Sequence, residues 1–437
     1  MRRSLSCSPP SLVLVLVFIW FTVLIFLSSV SVQAESTSEK LEVLYAFKGG
    51  HDGSSPSGAL VFDKVGNLYG TTQKGGGSSS CSESGYGCGV AFELTPQSGG
   101  RWKETVLHRF QNGSDGAVPN GSLILDSSGT IYGTTLEGGM AESDGCGTVF
   151  NIVPGAAGWT EKIIYTFCSQ GGDGFFPASG LIADQAGDLY GTTESGGSGL
   201  GGTVFELSPG ADGWTSSILW DFCLVGNCGA GGTNPVASLV GNAGNLYSTT
   251  PMGGKSEQYC GGFPGGCGVI FELSLSNGAW KESLLHSFLG TQGVQPSAKI
   301  IFDKNGNAYG TTEFDGVFGF GTAFKLSQDS GGWKYSVLYN FRNGGSHTAV
   351  VLDAAGDLYG ATQTGGEGAC SDGCGEIYKL TPTEHGGWRY TVLHRFHGDS
   401  DGGQPSGDLI FGPDGRLYGV ASVAGSGDNG VVFAIAP

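Results

Sequence analysis

The residues of this chain with chemistry to offer are its irregular acids, its loop aspartates, its histidines and its cysteines. Breaking a glycosidic bond takes two carboxyl groups facing each other across a groove. The acids that fall outside the regular pattern are Glu83, Asp144, Glu194, Glu257, Asp315, Glu367 and Asp372, all in or beside glycine-rich loops. They define a candidate surface without singling out a catalytic pair. A second set, Asp52, Asp115, Asp173 and Asp401, sits in Asp-Gly loops such as Gly49-Gly50-His51-Asp52-Gly53. Their carboxylates and carbonyls could hold calcium, although none follows the ligand spacing of a twelve-residue calcium loop. No other cofactor is expected.

His108, His286 and His394 occupy one recurring position that Tyr45, Tyr165, Trp220 and Tyr339 fill elsewhere. A place that takes any flat ring reads as packing rather than as a metal triad, and the three histidines belong to different copies of the pattern. His51, His347, His385 and His397 are scattered through loops. No nucleophile elbow, phosphate loop or paired zinc motif stands in a suitable strand, loop and helix setting. Ten cysteines lie beyond the N-terminal segment, and their close spacing suggests disulfides in an exported protein. The expected pairs are Cys81 with Cys88, Cys223 with Cys228, Cys260 with Cys267, Cys370 with Cys374, and Cys146 with Cys168. Zinc is the alternative at short spacings, but each pair lacks a second pair or a histidine in its own loop.

The elements that must position these groups come from a repeat. Asn67-Leu68-Tyr69-Gly70-Thr71-Thr72 returns around Tyr132, Tyr190, Tyr247, Tyr309, Tyr359 and Tyr418, at intervals of 50 to 63 residues. Ser248 replaces the glycine in the fourth copy, and the last copy is weakened to Leu417-Tyr418-Gly419-Val420-Ala421. A short apolar run and a turn precede each tyrosine strand. In the turn Asp63 accepts from the backbone while Gly66 takes a positive φ, and Asp126, Asp184, Asp303 and Asp353 repeat the device with their own glycines. A third strand of the type Val90-Ala91-Phe92-Glu93-Leu94 follows a glycine-rich loop, and its alternation marks one buried face.

The fourth strand carries Trp102, Trp159, Trp214, Trp280, Trp333 or Trp388, each eight residues before a phenylalanine. In an unbulged strand the two rings would share a face. Packing between units is the expected role of these aromatics, with a sugar-binding ring as the alternative. Leu41-Glu42-Val43-Leu44-Tyr45-Ala46-Phe47 copies the tail of this fourth strand, whereas the chain finishes on a third strand, Val431-Val432-Phe433. The phase predicts an all-β fold, a seven-bladed propeller of four-stranded antiparallel blades closed by the N-terminal strand, in preference to an open solenoid.

With its recurring Leu-Tyr-Gly-Thr-Thr, Val-Phe-Glu-Leu and tryptophan strands, the chain resembles the Gloeo/Verruco repeat family over residues 41 to 437. These are bacterial exported proteins, also described as choice-of-anchor tandem-repeat proteins. The resemblance implies a repeat fold and a secreted or surface location, and it carries no catalytic residues with it.

Composition agrees with a turn-rich β protein: 82 of 437 residues are glycine, without a strict triplet period, and 25 Phe, 15 Tyr and 8 Trp supply core. Arg2 and Arg3 precede an apolar stretch and the small-residue site Val32-Gln33-Ala34, so residues 1–34 read as a signal peptide, or as a membrane anchor if uncleaved. Residues 35–40 form a short linker and 41–437 a single domain. Without the two leader arginines the 21 basic residues become 19 against 39 acidic, a net −20 that repels phosphate backbones, so no nucleic-acid partner is expected. The membrane is expected to be touched only through an uncleaved leader, and the protein to be a monomer. The near-equivalence of the units favours a noncatalytic extracellular binding or scaffold protein for polysaccharide or protein. A polysaccharide hydrolase or lyase using rim acids is the alternative.

Overall fold

In the computed structural model, residues 41–437 are described except 82–86, 140–144, 170–171, 224–230, 255–259, 261–264 and 347. The leader, the linker, Glu83, Asp144, Cys228, Glu257 and His347 therefore lie outside the described residues.

Seven antiparallel four-stranded sheets follow one another along the chain, each running outward from the first strand to the fourth. Blade 1 comprises Ser54–Phe62, Leu68–Lys74, Val90–Pro96 and Trp102–Arg109. Blades 2 to 6 repeat this arrangement, their tyrosine strands being Ile131–Thr135, Leu189–Thr193, Asn245–Thr250, Ala308–Thr311 and Leu358–Thr362. Blade 7 takes three strands from the C-terminal end and its outermost from the beginning. Glu42–Ala46 pairs antiparallel with Val431–Ile435, Glu42 opposite Ala434 and Ala46 opposite Val431. The Phe47 N–H then donates to the Gly430 carbonyl at 3.0 Å. Seven hydrophobic clusters join neighbouring blades pairwise, and the one containing Phe47, Tyr418 and Val432 of blade 7 with Leu60, Leu68 and Phe92 of blade 1 completes the ring. The protein is a closed seven-bladed β-propeller, and no α-helix occurs among the described residues.

The joints explain the repeat residue by residue. Across every joint the phenylalanine after a fourth strand meets the third-strand ring of the next blade edge to face, as in Phe110 on Phe150 and Phe47 on Phe92, with centroids 5.1 to 5.4 Å apart. The tryptophans do not share that face. Every fourth strand carries a bulge; in blade 1 the pairing jumps from Ala91 with His108 to Phe92 with Val106 and leaves Leu107 over. The extra residue reverses the alternation. Trp102 therefore packs back toward blade 7 while Phe110 packs forward toward blade 2. The spacing of eight holds, and its straight-strand reading is corrected by that one residue. Trp159 and Trp214 likewise sit against Tyr69 and Tyr132 of the preceding blade, at 6.0 and 6.1 Å.

Within Tyr-Gly-Thr-Thr each position has a separate task. Where the turn carries an aspartate it holds the tyrosine hydroxyl, Tyr359 by Asp353 at 3.0 Å and Tyr309 by Asp303 at 3.1 Å, whereas in blade 4 Tyr247 donates to Glu272 at 2.7 Å. The glycine lies under the third-strand ring, where a Cβ on Gly191 would come within 2.5 Å of Phe205. Ser248 stands at this place in blade 4 and its hydroxyl donates to the Ala237 carbonyl at 3.1 Å. The first threonine reaches the next blade, Thr134 Oγ1 donating to the Ser179 carbonyl at 2.9 Å and Thr249 Oγ1 to that of Ala298 at 3.1 Å. The second ties the third strand of its own blade, accepting from the N–H of Thr203 at Thr193 and of Thr322 at Thr312.

Among the described residues four disulfides, Cys81–Cys88, Cys146–Cys168, Cys260–Cys267 and Cys370–Cys374, lie at the starts of third strands, and Cys223 is disulfide-bonded as well. The carbonyls of Cys88, Cys146, Cys267 and Cys374 accept from the N–H of Val118, Phe176, Gln295 and Gln404 on the following blade. Those residues precede prolines and have φ between 54° and 60°. This left-handed geometry is costly for non-glycine residues, and here hydrogen bonds on both sides of the joint hold it.

Candidate functional site

Alternating loops place two sets of segments on one rim: those joining the second and third strands, and those joining each fourth strand to the next blade. Glu194, at the end of the blade 3 tyrosine strand, is half-buried, and burial raises its pKa. Asp315 lies in the blade 5 loop with its pKa also raised by burial. Glu367 and Asp372 are exposed in the blade 6 loop. Among the described residues no hydrogen bond or ion pair links one of these acids to another, and they stand on three separate blades.

The loop aspartates each close a joint. Asp52 accepts from the Tyr45 hydroxyl at 2.8 Å and the Lys48 N–H at 3.0 Å. Asp115 meets His108 Nε2 at 3.1 Å and the Gln111 N–H at 2.7 Å. Asp173 accepts from the Tyr165 hydroxyl at 2.9 Å and the Cys168 N–H at 3.1 Å. Asp401 meets His394 Nε2 at 2.9 Å and the His397 N–H at 3.2 Å. N–H and O–H donors thus meet each of the carboxylates considered for calcium, although Asp52 Oδ1 is buried without a partner, and the four are spread over four joints.

His108, His286 and His394 lie on separate blades in their ring positions, each edge-on to the following phenylalanine at 4.8 to 5.0 Å. His286 is also stacked on Tyr335 at 4.1 Å, and burial depresses its pKa to about 4.

The sequence reading missed the joint acids two residues after the tryptophan. Glu104 has its pKa raised to about 7, first by burial and then by the Asp52 charge. Glu161 is also raised to about 7, first by burial, with His108 opposing and Asp115 reinforcing the shift. Burial raises Glu282 as well. Their spacing from tryptophan is the signal that could have revealed them, since it places them on the tryptophan's face of the strand.

Two further places break the sevenfold equivalence. In the axial channel, lined by small residues such as Gly58, Gly121 and Gly180, Lys299 and Asp408 form an ion pair at 3.0 Å. Asp408 also accepts from the Ala349 N–H at 2.7 Å. On the rim at blade 5, a recess of ≈ 430 Å³ is lined by Leu289, Gly290, Thr291, Asp315 and Gly316. Leu289 in its wall is 43% exposed, and Val317, Phe318 and Phe320, in the same loop as Asp315 and Gly316, are 70%, 42% and 41% exposed. The Arg342 guanidinium lies 4.4 Å above the Phe318 ring. The arrangement can bury apolar surface of a ligand between a cation and a carboxylate.

Against known proteins, a model of the Gloeobacter/Verrucomicrobia repeat matches residues 77–259 and 258–437. No curated protein matches the chain. Among solved structures, a candidate 6-phosphogluconolactonase from Bacteroides fragilis is 14% identical, with TM-score 0.49, over 77% of this chain and 85% of its own. A protein from Lactobacillus plantarum is 15% identical, with TM-score 0.46, over 76% and 84%. A gluconolactonase from Xanthomonas campestris is 11% identical, with TM-score 0.39, over 91% and 90%.

Proposed function

The chain belongs to the Gloeobacter/Verrucomicrobia repeat family, and from that premise we propose that it is a noncatalytic extracellular binding or scaffold protein that docks another extracellular protein on its blade 5 rim. The observation that carries this reading is the exposed group of Leu289, Val317, Phe318 and Phe320 in the wall of one recess and in the loop that lines it, in a ring whose other units resemble one another. Exposed apolar side chains gathered in one loop beside charged groups suit a protein partner. A saccharide would call for more hydroxyl-binding groups than this surface offers, so polysaccharide is the second outcome of the test. The disulfides of the described residues, a strongly acidic composition and the leader-like first 34 residues support an extracellular place of work. Among the described residues no helix is long and apolar enough to cross a membrane.

The test is capture from the native cell surface with the wild type and with a Val317→Ser, Phe318→Ser double variant, alongside a glycan array. Capture of one protein by the wild type, lost in the double variant, supports the reading. Glycan binding that survives in the variant, or product release from polysaccharide that disappears in Glu194→Gln, would replace it.

A further inference from the structure

We propose that His394, His397 and Asp401, at the joint between blades 6 and 7, form a binding site for one divalent transition-metal ion of the zinc class. Asp401 Oδ2 lies 2.9 Å from His394 Nε2 and 3.1 Å from His397 Nδ1. All three ligand atoms fall within 4.8 Å of one another. Two imidazoles and a carboxylate suit zinc and its neighbours, whereas calcium requires a cage of oxygens. With metal bonds of about 2.0 to 2.2 Å, ligand atoms around a tetrahedral ion stand about 3.4 Å apart, so the two edges from Asp401 need to widen by only a few tenths of an ångström, and the edge between the imidazoles already lies within 4.8 Å.

The other joints show why this is more than a closed loop. Three of them use the same device, a ring and a carboxylate plus one backbone N–H: Tyr45 with Asp52 and Lys48, His108 with Asp115 and Gln111, Tyr165 with Asp173 and Cys168. His394, Asp401 and the His397 backbone N–H already complete that device at the joint of blades 6 and 7. The His397 imidazole is a third donor that the structural task does not use, and it points at the same carboxylate oxygen.

Access and rigidity also fit. The side chains of His394 and Asp401 are 18% and 16% exposed, while that of His397 is 63% exposed. An ion can therefore enter from solvent and keep a position for water. The His397 carbonyl accepts from the Ala369 N–H at 2.9 Å, next to the Cys370–Cys374 disulfide, which fixes the backbone beneath the donor.

The experiment uses the full exported chain with its disulfides intact, stripped by chelator and titrated calorimetrically with zinc chloride, then with cobalt(II) read by visible absorption. The expected result is one ion per chain and the cobalt bands of a low-coordinate site. His397→Gln reproduces the His-Asp-Gln composition of the joint between blades 1 and 2. It should lower zinc affinity by at least the roughly tenfold loss that follows removal of even an outer partner of a metal ligand, with the denaturation midpoint of the stripped protein unchanged. The proposal is overturned if the wild type takes up no zinc, or if His397→Gln binds zinc with unchanged affinity and stoichiometry, which would assign the uptake to other histidines.

Discussion

Replacing Phe47 by alanine tests the ring at its point of closure. The side chain is fully buried, lies edge to face on Phe92 at 5.2 Å, and follows the strand that completes blade 7. Truncating a buried phenylalanine costs about 3 to 5 kcal/mol through lost burial and the cavity left behind. At about 1.4 kcal/mol per tenfold, that is two to three and a half powers of ten in the folded-to-unfolded ratio. Phe222→Ala is the comparator, since Phe222 is equally buried and meets Phe271 at the same 5.2 Å across an internal joint. Equilibrium chemical denaturation should show similar losses for the two variants. Hydrogen exchange should separate them. The backbone of residues 42–46 is paired with the strand Val431–Ile435 alone, so Phe47→Ala should deprotect both segments by local opening, whereas the fourth strand of blade 3 remains held by its hairpin. A Phe47→Ala protein with a wild-type midpoint and protected amides at 42–46 would refute closure by the N-terminal strand.

Two further outcomes concern pH. Glu104 and Glu161 have folded pKa values near 7 against 4.5 when unfolded, raised first by burial. The folded state therefore holds extra protons between those values, and the stability these groups contribute is present below about 4.5 and lost as pH rises toward about 7. Glu104→Gln and Glu161→Gln should each stabilise the protein at pH 8 and change little at pH 4, read from denaturation midpoints; destabilisation at pH 8 would contradict the assignment. His286 titrates the other way. Its folded value near 4 lies below the ordinary 6.5, so stability present above 6.5 is lost as pH falls toward 4. His286→Tyr, which installs the ring found at this place in blades 2, 5 and 7, should retain more stability than wild type at pH 5, and an equal acid loss in both would count against it.

Architecture was legible because the repeat writes each strand type seven times and because the two chain ends are out of phase by one strand. The face of the tryptophans was not legible, since a single extra residue such as Leu107 leaves no mark in the spacing and reverses the alternation. Glu104 and Glu161 escaped notice because carboxylates on an outer strand are ordinarily solvated; only the neighbouring blade buries them, and that contact is nonlocal. His397 looked like a scattered loop residue because its relation to His394 and Asp401 depends on how the loop folds back. The exposed group on blade 5 depends on burial, which the pattern of apolar residues in a glycine-rich loop does not reveal.

The closing strand also sets an order of events. The strand at residues 42–46 has to wait for the strand at residues 431–435, synthesised much later, and the Glu42 to Arg416 contact across that seam spans 374 residues. Relative to the roughly 60-residue span of one repeat this is between two and three doublings of chain length, about 1.6 kcal/mol of added closure entropy. The penalty is small beside what one buried phenylalanine contributes, so the seam can form late without making the finished ring weak. Until residues 431–435 are available, the nascent molecule carries an unpaired strand at 42–46 and a lone edge on its latest blade, a state vulnerable to pairing with a second chain.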